Sequence, residues 1–169
     1  MFRNIFAFIL WTAFLLSHSP TQAQEKVSTP AMSVILTDFE GLKEIFSYKD
    51  DTLRVINFWA TWCVPCVKEL PDFEKVSKEH LGEAVQFIYV SLDMDTHLEK
   101  RVIPFLNARD LPGKHYLLDD PDANTWIPDV SEKWTGAIPA TLIYKNKERY
   151  FHEGMMDYEM LKAKVLAMM

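Results

Sequence analysis

The sequence predicts a three-layer α/β domain, and two observations carry that prediction. Apolar runs of strand length alternate with stretches of helical periodicity along most of the 169 residues. The chain then closes with a hairpin pattern and one more helix, which completes a sheet covered on both faces by helices.

The elements follow in order. Residues 34–36 are a short apolar strand. Thr37 followed by Glu40 has capping-box spacing, and Phe39, Leu42, Ile45 and Phe46 recur at helical intervals, which predicts a helix over 38–47. Lys49-Asp50-Asp51 turns the chain into an apolar strand, 53–60. Leu70, Phe73, Val76 and Leu81 then mark the buried side of a helix over 67–81, with Pro71 as the source of a kink and Gly82 as its stop. Residues 85–92 form a continuous apolar strand of the kind buried on both sheet faces. Asp93-Met94-Asp95 closes it, and Thr96 with Glu99 makes a second capping box that opens a helix to about residue 109. Asp93, Asp95 and His97 alternate, and a loop with a helix start explains them better than a metal site does. Leu111-Pro112-Gly113 is a break. A short strand over 115–118, an acidic turn and a helix over 123–134 interrupted by Pro128 come next. Residues 138–144 are a strand led by Pro139, and 149–152 its hairpin partner across Lys145-Asn146-Lys147. Gly154 and Asp157 introduce the last helix, with Leu161, Val165 and Met168 inward.

The amino terminus reads differently. One cation at Arg3, an apolar run over 5–16 and the small-residue site Thr21-Gln22-Ala23 have the form of a secretory signal peptide, with cleavage expected after Ala23. An uncleaved membrane anchor is the competing reading, although the run falls short of the roughly 20 apolar residues a spanning helix needs. Residues 24–33 read as a flexible lead and 34–169 as the folded domain. The net charge of −6 argues against nucleic acid and anionic membrane surfaces, which reward clustered Lys and Arg.

Cys63 and Cys66, the only two cysteines, stand where the strand 53–60 gives way to a helix. If the helix begins near Pro65, whose ring suits a first turn, Cys63 lies at its N-terminus among unpaired N–H donors. Those donors and the helix dipole favour a thiolate there, while Cys66 sits one turn deeper on the same side. One sulfur attacks and the other resolves, and the spacing reads as a thioredoxin-like redox motif. A structural disulfide and half of a zinc site are the alternatives. A closed zinc site wants about four ligands, and His80, His97, His115 and His152 lack ligand spacing. A disulfide closing so short a loop constrains the unfolded chain little.

The run Asn57-Phe58-Trp59-Ala60-Thr61-Trp62-Cys63-Val64-Pro65-Cys66-Val67-Lys68-Glu69-Leu70-Pro71 resembles the signature of exported thioredoxin-like proteins of the TlpA/ResA type. Gly136-Ala137-Ile138-Pro139-Ala140-Thr141 is similar to their second active-site loop. The resemblance implies a thioredoxin fold with a central mixed sheet. It implies thiol–disulfide exchange with Cys63 as nucleophile and Cys66 as resolving thiol, and Pro139 in cis beside them, presenting Ile138 to an extended substrate. Periplasmic residence and a reducing role follow from the same resemblance. Asn57 replaces the buried aspartate of cytoplasmic thioredoxins, so proton transfer passes to Glu69 as the candidate. Trp62 is expected as a partly exposed wall for bound peptide, beside Val64 and Pro65, with Trp59 in the core.

The combined expectation is an exported reductant of protein disulfides, monomeric, with no bound cofactor or metal and with its dithiol renewed by a membrane electron donor. The rivals are a disulfide-forming oxidant or isomerase, a non-catalytic peptide-binding module, and a copper-handling module. Two thiolates without a nearby histidine would suit only Cu(I).

Overall fold

The computed structural model describes residues 33–169, so the expected signal segment, its cleavage site and all but the last residue of the lead lie outside the described residues. Six strands form one sheet: β1 (Val34–Thr37), β2 (Leu53–Trp59), β3 (Val85–Ser91), β4 (Lys114–Leu118), β5 (Ala140–Lys145) and β6 (Glu148–Glu153). Their spatial order is β1-β4-β3-β2-β5-β6. The first four are mutually parallel, β5 pairs antiparallel with β2, and β6 pairs antiparallel with β5, so the sheet is mixed.

Helices cover both faces. Alternation along β2 sends Leu53, Val55 and Trp59 to one side and Ile56 and Phe58 to the other, and every β2 residue is buried. The first side packs against α2 (Val64–Glu79) through Leu70, Phe73 and Val76, and against α5 (Tyr158–Met168) through Leu161, Val165 and Met168. The second packs against α1 (Phe39–Leu42) and α4 (Ala123–Val130), with Trp126 and Trp134 filling the space over Phe58. At about 25 cal/mol per Å² of apolar area, this two-sided burial is the main force holding the layers together.

Several boundaries differ from the sequence reading, each for a local reason. Thr37 is the last residue of β1, where its carbonyl accepts from Asp119 N at 2.9 Å, so it does not cap the helix. Asp38 caps instead, accepting from Gly41 N at 3.0 Å. After one α turn the chain tightens into a 3-10 segment, Lys43–Phe46, and the helix expected to reach residue 47 is correspondingly shorter. The second capping box also fails. Asp95–His97 is a 3-10 turn without a side-chain cap, Leu98–Val102 widens into a π turn, and only Ile103–Asn107 is α-helical (α3). Pro104 explains the break, because it has no N–H for the carbonyl four residues back.

The helix after the cysteines begins at Val64, one turn earlier than its apolar face suggested, and ends at Glu79, leaving Leu81 exposed. Pro71 lies inside it. Likewise α4 runs through Pro128 and stops at Val130, short of Trp134. The strand expected from residue 138 begins at Ala140, since Pro139 has no N–H to give a ladder. The hairpin turns at Asn146, whose φ of 55° suits a tight two-residue connection between Lys145 and Glu148.

Candidate active site

The cysteines meet at the carboxyl end of β2, where the sheet hands the chain to α2. Cys63 is the N-cap of that helix and Pro65 occupies its first turn. The two sulfurs form a disulfide with a Cα–Cα separation of 5.2 Å. Cys66 is fully buried, while Cys63 retains 5% exposure. The backbone N–H of Cys66 points at Cys63 Sγ across 3.3 Å, and such a donor favours negative charge on that sulfur once the pair is reduced. Chain geometry therefore assigns the sulfurs unequal positions, one at the rim and one behind it.

The second loop closes over the first. The Ile138–Pro139 peptide is cis, and the Ile138 carbonyl oxygen lies 3.6 Å from Cys63 Sγ. Pro139 is buried and Ile138 half-buried. Trp134 Nε1 donates to Ala137 O at 2.8 Å, and the Glu153 carboxylate accepts from both Thr135 N and Thr135 Oγ1, at 2.7 and 2.8 Å. Gly154 N donates to Pro139 O at 2.8 Å. The loop is thus tied to β6 on one side and to the tryptophan cluster on the other. Sequence reading missed these ties: Glu153 stands 18 residues from Thr135, and Trp134, although only three residues from Ala137, belongs to no motif.

Around the disulfide the surface is apolar and open. Trp62 is 58% exposed and Val64 78%, with Pro65 exposed beside them. Trp59 has 1% exposure and packs on Phe105, so the two tryptophans divide between rim and core.

One turn along α2 from Cys66, Glu69 is wholly buried. Its Oε1 accepts from Asn57 Nδ2 at 2.8 Å and its Oε2 from Met156 N at 2.9 Å. Desolvation outweighs those two donors and pushes its pKa from 4.5 up to about 7. A carboxyl poised there exchanges protons readily at neutral pH.

A second carboxylate flanks the site. Asp93, just past β3, is 1% exposed and accepts from Thr61 N at 2.8 Å and Thr61 Oγ1 at 2.6 Å. Ser91 Oγ donates to it as well, at 2.8 Å. His97 approaches no closer than 4.0 Å, and among the described residues no cluster of His, Cys, Asp and Glu is arranged to hold a metal ion. No helix among those residues is long and apolar enough to cross a membrane.

A mixed sheet between two helical layers, with a Cys-x-x-Cys pair capping the first long helix and a proline loop against it, defines a domain of the thioredoxin-like fold. The Redoxin family model matches residues 26–125, and the chain belongs to that family. It is 28% identical over 99 residues to sporulation thiol-disulfide oxidoreductase A of Bacillus subtilis, covering 57% of this chain and 59% of that protein. It is 33% identical over 98 residues to the thiol-disulfide oxidoreductase ResA of Bacillus thuringiensis, covering 55% and 56%. The chain therefore spans little more than half the length of these relatives. Among solved structures, a thioredoxin-related protein from Neisseria meningitidis superposes with a TM-score of 0.59 at 22% identity, over 70% of this chain and 85% of that one.

Proposed function

We propose that this protein is an exported thiol–disulfide oxidoreductase that reduces disulfides in other exported proteins. The observation that carries the reading is the unequal placement of the two sulfurs, with Cys63 capping α2 at an apolar rim and Cys66 buried behind it. In the reduced protein, the Cys63 thiolate attacks one sulfur of a substrate disulfide and expels the other as a thiolate. Cys66 then loses its proton to Glu69 and attacks Cys63 Sγ. That step releases the second substrate sulfur and leaves the Cys63–Cys66 disulfide, so two electrons pass to the substrate. An extended substrate segment lies along Ile138 and Pro139, against Trp62, Val64 and Pro65, and pairs with the loop in the manner of an added strand.

Relatives named thiol-disulfide oxidoreductases support the chemistry. The signal-like residues 1–23, preceding a domain over 34–169, support export to a periplasmic or equivalent space. In this reading the domain works as a monomer and a membrane electron donor renews the dithiol. Val64 brings neither charge nor a hydrogen bond to the thiolate, which favours a reductant over a strong oxidant. Insulin reduction with dithiothreitol as electron donor tests the activity, and a rate no higher than background overturns it. Equilibration with glutathione then fixes the direction, since about 30 mV corresponds to about 1.4 kcal/mol for this two-electron couple.

A further inference from the structure

We propose that Asp93 is a positioning residue for the dithiol: through Thr61 it holds the turn that delivers Cys63 to the start of α2. The inference rests on the thiol–disulfide reading above. A carboxylate withdrawn from water is strongly destabilising unless donors replace its hydration. Asp93 has three such donors, and two of them, the backbone N–H and the hydroxyl of Thr61, belong to the turn that leads into Cys63. The same turn is fastened at its root, where Leu92 N donates to Trp59 O at 2.8 Å and Cys63 N to Ala60 O at 3.1 Å. Between those two bonds, Thr61 is the point at which the turn is held from the side.

Three groups face the Asp93 carboxylate: uncharged Thr61 from the turn, uncharged Ser91 from β3, and His97 from the 3-10 segment, whose Nδ1 stands 4.0 Å away, beyond hydrogen-bond distance. Without the carboxylate, nothing comparable restrains Thr61, and the Cys63 sulfur is free to drift from the Cys66 N–H that favours its anion.

Geometry and charge predict opposite outcomes, which makes the inference testable. If Asp93 acted by its charge, its removal would relieve repulsion and increase the Cys63 thiolate. If it acts by position, its removal decreases the thiolate. The experiment measures the pH profile of Cys63 alkylation on the reduced full chain of the wild type, Asp93→Ala, Asp93→Asn, Thr61→Val and the Asp93→Ala/Thr61→Val double variant.

Asp93→Ala is expected to leave about tenfold less thiolate at neutral pH, with a matching fall in attack rate. Asp93→Asn restores most of it, because the amide oxygen accepts from Thr61 N while the amide N–H donates to Thr61 Oγ1. Thr61→Val shifts the profile in the same direction as Ala but by about threefold, and the double variant is no worse than Asp93→Ala alone. More thiolate in both Asp93 variants overturns the inference in favour of a charge effect, and unchanged profiles overturn it outright. Should Asp93→Ala fail to fold, an unshifted Thr61→Val is sufficient to overturn it. A wild type inactive on insulin overturns the parent reading, whereas an active wild type with unshifted variants overturns this inference alone.

Discussion

Asn57 donates its side-chain N–H to Glu69 Oε1 across 2.8 Å, and neither residue exposes any surface to solvent. The pair joins β2 to α2, one helical turn beyond Cys66. Because desolvation dominates, Glu69 holds its proton up to about pH 7, well above the ordinary 4.5 of a glutamate. Between those two values Glu69 binds more proton in the folded chain than in the unfolded one, so its contribution to stability falls as pH rises from about 4.5 and levels off beyond about 7, while buried His115, whose pKa desolvation lowers, contributes in the opposite direction. The loss amounts to on the order of 3 kcal/mol across that window. Glu69→Gln should remove that contribution, so that the variant gains on the wild type between pH 4 and pH 8; urea unfolding at the two pH values measures it. In enzyme assays the same variant should slow release of the mixed disulfide more than its formation, as rapid-quench kinetics would reveal.

Cys63 and Cys66 should divide their roles cleanly. Cys66→Ser leaves the attacking sulfur in place and removes the resolving one, so disulfide-linked partners should accumulate through Cys63 and be visible on non-reducing gels. Cys63→Ser should trap none. Adducts forming equally in both variants would show that the sulfurs are interchangeable.

Trp62, at 58% exposure, contributes little to folding and much to the rim around the disulfide. Trp62→Ala is expected to change stability by less than about 1 kcal/mol, as is usual for surface positions. KM for a disulfide-bonded peptide should rise several-fold with a smaller change in kcat. A kcat loss without a KM change would place the indole outside the peptide groove.

Trp134 should show the reverse pattern in stability. It is buried between Phe58, Trp126 and Phe151, and its Nε1 holds Ala137 O. Trp134→Ala should cost about 3–5 kcal/mol by denaturant unfolding. Trp134→Phe keeps most of the packing and loses the hydrogen bond, for about 1 kcal/mol. If the loop over the disulfide depends on that bond, Trp134→Phe also raises KM for the peptide.

Much of this architecture was legible one residue at a time. The strands 53–60 and 85–92 were visible because both sheet faces are covered, which makes their apolar runs continuous. The last helix was visible because Asp157 caps it and Leu161, Val165 and Met168 recur at helical spacing. Capping at Thr37 and Thr96 misled, since a box pattern in sequence does not reveal whether its first residue is already engaged in a ladder, as Thr37 is, or whether a downstream proline, as at 104, prevents a regular helix. Pro104 was the available signal for the second failure.

Local sequence alone determined the Cys-x-x-Cys pair at a strand-to-helix junction, because residues three apart at a helix start must share a face. Folding decided the rest of the site. Asn57 and Met156 meet Glu69, Asp93 meets Thr61, and Ile138 meets Cys63 only once the parallel and antiparallel halves of the sheet have assembled. Their partners lie 12 to 87 residues apart. The physical reason is that a carboxylate's behaviour depends on the water it loses and the donors it gains, and both are properties of packed elements.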